Sequence, residues 1–426
     1  MRLSLSVFLL ALPLVAWAQT PLTGPGPSSP RASESVAPLT LNAALELALG
    51  ANPDLSAAGR ELEALDATIT QAQARPNPEL SALIEDTRRE TRTTTLQLNQ
   101  PIELGGKRGA RIEAAERGRD AASLELDAKR AEIRAAGTAA FFDVLVAQER
   151  LRLAQASVEL AQRATGAASR RVTAGKVSPV EETRASVAEA AVRVEQAQAA
   201  SEVTTARRRL AATWGNSSPR FEYAEGDPES LPPLPALADL NMRLATSPNL
   251  LRARIEVERR QALAEVERSR RIPDLTVSLG AKRNEELGRD QAILGVSIPI
   301  PVFNRNQGNL LEALHRTDKA RDELAAAGTR LSNELAAAHE RLNTARQEVA
   351  LLQRDILPGA QSAYDAATKG FELGKFSFLE VLDAQRTSFQ AKSQYLRALA
   401  EAHRSAAEIE RILGVASTQA PAATQQ

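Results

Sequence analysis

Phe371-Glu-Leu-Gly-Lys-Phe-Ser-Phe-Leu-Glu-Val-Leu-Asp-Ala-Gln385 interrupts a long helical pattern. Gly374 can end a helix at little cost, because a positive φ is freely open to glycine. Ser377 is suited to cap the next helix, and Glu380 three residues on completes a capping box. Glu380 and Asp383 stand at i, i+3 and share one face of that helix. Val172-Thr-Ala-Gly-Lys-Val-Ser-Pro-Val-Glu-Glu-Thr183 repeats the pattern: Gly175, Lys176, Ser178 and Glu181 match Gly374, Lys375, Ser377 and Glu380. The chain therefore makes this turn twice.

Outward from the two turns, other landmarks recur in the same order. Leu41–Leu49 followed by Asn52-Pro-Asp-Leu55 matches Leu237–Leu244 followed by Ser247-Pro-Asn-Leu250. Pro78-Glu-Leu80 returns as Pro273-Asp-Leu275, Pro101-Ile102 as Pro299-Ile300, and Trp214-Gly215 as Leu413-Gly414. Ordered self-similarity predicts two repeats of one architecture, 39–215 and 237–414, joined by a Pro-rich linker over 216–236.

Each half predicts a short helix broken at Asn-Pro or Ser-Pro, then a second helix to about Ala74 or Arg271. Two strands follow. Leu80, Ala82 and Ile84 alternate with Glu79, Ser81 and Leu83, and a second run carries Leu96, Leu98 and Ile102. In the second half Leu275, Val277 and Leu279 alternate with Thr276, Ser278 and Gly280; Leu294, Val296, Ile298 and Ile300 alternate with Gly295, Ser297 and Pro299. A period of two marks a half-buried strand. The loops 86–92 and 283–290 are charged and belong in water. The period then changes to 3–4: Ala128, Ala131, Ala135, Thr138, Phe142 and Leu145, and later Leu335, Ala338, Leu342, Ala345, Val349, Leu352 and Ile356, form coiled-coil seams. Helices are expected from about Arg108 to Val172 and from about Asn309 to Phe371, the latter kinked at Pro358. A return helix follows each turn.

Lys plus Arg number 53 and Asp plus Glu 53, so no basic excess points to nucleic acid. Aromatic residues make up only 3%, which suits long helices better than a large globular core. Residues 1–18 read as a secretory signal: Arg2, an apolar run, then Ala16-Trp17-Ala18. Residues 19–38 and 415–426 are low in complexity and are expected to be disordered. No cysteine is present, so an exported chain must hold together by packing.

Four strands cannot close a barrel within one chain, since about eight is the minimum. Sharing between chains would do it: two copies give about eight strands, three about 12. The alternative is a small sheet capping a soluble coiled coil.

The chain resembles the TolC-like outer-membrane efflux family, and within it the CzcC-like heavy-metal resistance branch. Carrying the resemblance are Leu39-Thr-Leu-Asn-Ala-Ala-Leu45, Asn52-Pro-Asp-Leu55, Pro76-Asn-Pro-Glu-Leu-Ser81, Gln100-Pro-Ile-Glu-Leu-Gly-Gly-Lys-Arg108 and Leu373–Gln385. It implies a mainly α, internally duplicated chain with a small β part. A homotrimer would share a 12-stranded transmembrane β-barrel, four strands per chain, continued by a coiled-coil helical barrel. It further implies a passive duct in a Gram-negative outer membrane, without catalysis or cofactor. A periplasmic adaptor and an inner-membrane, proton-driven transporter of the RND type would feed it, the cargo implied for the branch being heavy-metal cations. By position, Glu380 and Asp383 match a pore-narrowing acidic ring, while Glu181 and Phe371 match the tip latch. Gly175, Lys176, Val177, Ser178, Gly374, Lys375, Phe376 and Ser377 match the adaptor-docking tips. Phe371 stands where relatives carry Tyr, and Phe376 where a latching Arg can stand, so a hydrogen-bonded latch does not carry over intact.

Gly105-Gly-Lys-Arg108 lacks the spacing of a phosphate loop and reads as a strand-to-helix turn, matched by Asn304-Arg-Asn-Gln-Gly308. His315, His339 and His403 form no ligand cluster in the sequence, and no metal site is expected. The competing classes are a periplasmic coiled-coil adaptor, which would carry Gly- and Val-rich lipoyl-like segments, and a structural coiled coil, which would not need the strands.

Overall fold

A computed structural model describes residues 38–373 and 375–414. The signal expected at 1–18, nearly all of the expected lead-in, Gly374 and the tail at 415–426 lie outside the described residues. The first half runs α1 (Leu41–Ala51), α2 (Pro53–Gln73), β1 (Glu79–Glu85), β2 (Thr93–Ile102), α3 (Lys107–Thr173) and α4 (Pro179–Ala212). The second repeats it: α5 (Leu237–Leu244), α6 (Pro248–Ser269), β3 (Leu275–Asn284), β4 (Arg289–Ser297), α7 (Gln307–Leu351), a π-turn over Leu352–Ile356, α8 (Leu357–Glu372) and α9 (Phe378–Leu413). At 67 residues, α3 is about 100 Å long.

Local chemistry sets the helix starts alike in both halves. Asn52 Oδ1 accepts from the N–H groups of Asp54 (2.8 Å) and Leu55 (3.1 Å), with Pro53 in the first turn. Ser247 Oγ accepts from Leu250 N–H at 3.4 Å, ahead of Pro248. These caps satisfy orphan donors that a helix start otherwise leaves open. The Gly105–Arg108 turn is the expected strand-to-helix turn: the N-cap Gly106 is left-handed at φ 75°, and Asn306 takes the same role before α7 at φ 56°.

The four strands form one antiparallel sheet in the order β1-β2-β3-β4. The β2–β3 ladder, from Thr93↔Asn284 to Ile102↔Leu275, joins the two halves. β4 ends at Ser297, short of the expected Ile300, because Pro299 and Pro301 have no N–H to give a ladder. The loop expected over 283–290 is shorter: Arg283 and Asn284 stay in β3, Arg289 and Asp290 in β4. Arg283 meets its register partner Asp290 at 3.1 Å.

The seams run much as the 3–4 spacing predicts. Ala131, Ala135 and Leu145 of α3 are buried, as are Leu335, Ala338, Leu342, Ala345, Val349 and Leu352 of the second half. Small residues let the helix axes approach closely. The second seam departs at Ile356, which is 46% exposed. Pro358 cannot donate to the carbonyl of Arg354, and its ring would strike that carbonyl in a regular α-helix. The chain adds a residue instead, and Leu357 N–H bonds the carbonyl of Leu352 five residues back. The extra residue turns the following side chains by about 100°, so Leu357 and Ala360 continue the seam. The expected single helix from Asn309 to Phe371 is thus two helices joined by a π-turn.

The linker at 216–236 is strapped onto the helices. Leu39 exchanges backbone hydrogen bonds with Tyr223 (3.0 Å) and Glu225 (2.9 Å). Gln148 clasps Ala224, donating to its carbonyl at 3.0 Å and accepting from its N–H at 2.8 Å. Arg207 donates to Phe221 O and Arg346 to Pro232 O. His339 and His403 hold Pro235 O and Pro228 O, each at 3.0 Å through Nε2. A carbonyl only accepts, so each Nε2 carries the proton.

Candidate functional site

The sheet has two unlike faces. Leu80, Leu98, Leu279 and Leu294 are register neighbours across all four strands, followed by Ala82, Leu96, Ala281 and Ala292. This face is open, and Leu294 is 77% exposed. The other face places Glu79, Asn99, Ser278 and Gly295 in one row, and Ser81, Gln97, Gly280 and Ile293 in the next. Ser278 Oγ and Gln97 Nε2 both donate to Asn99 Oδ1 at 2.7 Å, and Asn99 Nδ2 reaches Ser81 Oγ at 3.4 Å. A sheet apolar on one side and polar on the other suits a wall between lipid and water. β1 and β4 are its edges, and in lipid their outward N–H and C=O groups need partners from other strands. Among the described residues no helix is long and apolar enough to cross a membrane.

At the far end of the helices are two turns. In the first, Gly175 takes φ 69°, its N–H bonding Val172 O at 2.9 Å while Lys176 N–H bonds Arg171 O at 2.9 Å. This closes the end of α3 by a left-handed residue that a side chain would strain. Ser178 Oγ accepts from Val180 N–H at 3.4 Å to start α4, and Glu181 pairs with Arg184 at 3.7 Å. Lys176 and Ser178 are exposed and Val177 is half-buried.

In the second, Lys375 N–H and Phe376 N–H both reach Gly370 O, at 2.8 and 3.2 Å. The Phe376 ring lies over Gly370, where a Cβ would strike Cδ2. Glu380 Oε2 accepts from Ser377 N–H at 2.6 Å and from Ser377 Oγ at 2.9 Å, the capping box read from the sequence. Glu380 and Asp383 are both exposed. One Glu380 oxygen is thus occupied by its own helix start.

The structure brings the tips together through a residue the sequence reading did not select. Arg171, in the last turn of α3, donates from Nη2 to Phe371 O at 3.0 Å, with its Cζ 4.4 Å from the Phe371 ring centroid. Ala168, Ala185, Phe371 and Leu382 pack beside it. The cation faces both a helix-terminal carbonyl and an aromatic face, each attractive to positive charge. Phe371 is the half of the expected latch pair that bridges the hairpins, with Arg171 as its partner. The signal in the sequence was Arg170-Arg171 in the last turn before Gly175.

Midway along the helices, α3, α4 and α9 enclose a groove of about 1220 Å³ that includes Asp143, Arg150, Glu202, Arg209, Arg397 and Arg404. Arg150 pairs with Glu202 at 2.7 Å and Arg404 with Asp143 at 2.6 Å. Burial pushes the Asp143 carboxyl above the usual range, against the pull of Arg404. Among the described residues no group of His, Asp or Glu is arranged to hold a metal ion.

The family model for outer membrane efflux proteins matches this chain twice, over residues 44–216 and 240–415. The chain belongs to the outer membrane efflux protein family. The two matches coincide with the two structural repeats. This efflux protein is 52% identical over 381 residues to the cobalt-zinc-cadmium resistance protein CzcC of Cupriavidus metallidurans, covering 89% of this chain and 91% of that one. It is 29% identical to the nickel-cobalt-cadmium resistance protein NccC of Alcaligenes xylosoxydans xylosoxydans, covering 66% of this chain and 65% of that one. In fold it is similar to CusC, with a TM-score of 0.75 at 19% identity, covering 88% and 92% of the two chains. The fold is that of the TolC-like channels, in which three chains share a β-barrel continued by a helical barrel. The efflux protein stands in the outer membrane and reaches into the periplasm.

Proposed function

We propose that this efflux protein is the passive outer-membrane duct of a tripartite pump that exports divalent heavy-metal cations. The observation that carries the reading is the two-faced sheet at the head of the long hairpins: lipid outside, a hydrogen-bonded polar lining inside. Similarity to CzcC along nearly the whole chain supports metal cargo, and cobalt, zinc and cadmium are the ions to test. The duct works as a homotrimer, without catalysis or cofactor. A periplasmic adaptor docks on the two tip turns, Gly175–Ser178 on one hairpin and Gly374–Ser377 on the other. An inner-membrane, proton-driven transporter of the RND type supplies the energy.

Glu380 and Asp383, repeated in three chains around an axis, form an acidic constriction that favours cations over anions. Glu181 and Phe371 belong to the latch that keeps the tips closed, with Arg171 as the bridging cation. Deleting the gene should sensitise cells to cobalt, zinc and cadmium, and the full chain in trans should restore growth. Loss of tolerance only to organic solutes would assign the duct to a different cargo.

A further inference from the structure

The protein's charge differs between the two ends of its membrane-facing sheet. At the outer end, residues 85–92 and 282–290 hold six Lys or Arg and six Asp or Glu, a balance. At the inner end, where the helices begin, residues 75–79, 103–111, 265–274 and 303–305 hold eight Lys or Arg against five Asp or Glu. Four of those acids are already paired: Asp274 with Lys107 (2.7 Å), Glu267 with Arg270 (2.5 Å), Glu103 with Arg111 and Glu265 with Arg268. The fifth, Glu79, stands in the polar-face row with Asn99 and Ser278. Arg75, Arg271 and Arg305 are exposed and, among the described residues, have no acidic partner. Arg108 spends its Nε on the carbonyl of Gln73 at 2.8 Å.

Exposed apolar side chains flank Arg271 and Arg305 in sequence, and Arg75 shares a groove with Leu263 and Val266. Ile272, Ile298, Ile300, Val302 and Phe303 extend the apolar surface below β3 and β4; Ile300 is 81% and Phe303 92% exposed. Such a density of bare aliphatic and aromatic surface is costly in water and favourable in acyl chain. A guanidinium can lay its stem along that surface and present two N–H groups to one phosphate. The pattern is an interfacial collar: apolar residues at the depth of the acyl chains, unpaired arginines at the depth of the phosphates.

We propose that this collar binds the phosphate head groups of anionic glycerophospholipids in the inner leaflet of the outer membrane, with Arg75, Arg271 and Arg305 as the ligands. The bound lipids fix the depth of the sheet at its periplasmic rim. The proposal rests on the membrane placement and is independent of the cargo.

The test uses the full-length trimer in mild detergent, with phosphatidylglycerol and the zwitterionic phosphatidylcholine as probes and native mass spectrometry as readout. The wild type should retain phosphatidylglycerol preferentially. Arg75→Gln/Arg271→Gln/Arg305→Gln should weaken that retention by about tenfold or more, because basic residues near an anionic surface attract it additively. Arg75→Lys/Arg271→Lys/Arg305→Lys should keep most of it. Arg88→Gln/Arg89→Gln/Arg289→Gln, at the outer end, should keep all of it. Arg305→Gln alone, in an exposed turn, reads the same effect in smaller degree if the triple variant does not assemble. Equal retention of the two lipids, loss through the outer variant instead, or preferential capture of lipopolysaccharide would each overturn the proposal.

Discussion

Arg171 ties two hairpins that are 200 residues apart in sequence, through Phe371. A charged hydrogen bond to a carbonyl is worth about 1.5–3 kcal/mol and an exposed cation–π contact about 0.5–1 kcal/mol, before the cost of ordering the side chain. Arg171→Ala should therefore loosen the tips while leaving the trimer intact. The expected result is a higher mean conductance in planar bilayers, with Arg171→Lys in between; conductance equal to wild type would remove the residue from the latch. A second residue-scale prediction concerns His403, stacked on Phe142 with ring centroids 3.4 Å apart and bonded to the strap at Pro228. Burial pushes its imidazole below the usual histidine range, the Pro228 bond and Asp227 opposing. The released state then takes up a proton first, so the clasp is at full strength above about pH 6.5 and weakens as the pH falls below it. Amide exchange at Asp227 and Glu229, which flank Pro228, corrected for intrinsic rate, should quicken between pH 7 and 5 in the wild type and lose that dependence in His403→Phe. Neither partner was readable from the sequence. A lone histidine and one arginine of a pair say nothing of a partner brought near by tertiary packing, whereas Ser377 and Glu380 announced their capping box because both ends of that contact are local.

The elements were more legible than their joins. Alternation found all four strands and 3–4 spacing found the hairpins, because a buried face imposes its period on whichever residues line it. The π-turn was missed: Pro358 signalled a disturbance, but a kink and an inserted residue leave the same mark in sequence. The two differ in which side chain they bury. A continuous helix places Ile356 on the seam, while the π-turn places Leu357 there. Leu357→Ala should cost about 1–2 kcal/mol, a half-buried share of the usual large-to-small loss, and Ile356→Ala less than about 0.5 kcal/mol. Thermal midpoints of the purified trimers would show the order, and the reverse order would restore a regular helix.

For the molecule as a whole, duplication was the most legible property, since five landmarks keep one order. The lumen was the least legible, since it lies between chains. The constriction proposed at Glu380 and Asp383 would form only in the assembled ring. Glu380→Gln keeps the acceptor that the Ser377 cap needs, so Glu380→Gln/Asp383→Asn removes charge without unravelling the start of α9. Cation preference in bilayer recordings should fall in this variant, most plainly at low salt where screening is weakest. A reversal potential unchanged from wild type would place both carboxylates outside the conduction path.

The pairing of β2 with β3 has an evolutionary consequence. Because the two halves meet edge to edge through the same kind of ladder that must close the ring, a single half is in principle a complete building block, and six such halves would have made a sixfold-symmetric ancestor. Val177 and Phe376 occupy equivalent positions in the two tip turns, so in a trimer the proposed docking rim would carry two alternating kinds of socket. Six identical hairpins from a partner would then meet three sites of one affinity and three of another, and would fill them in two steps.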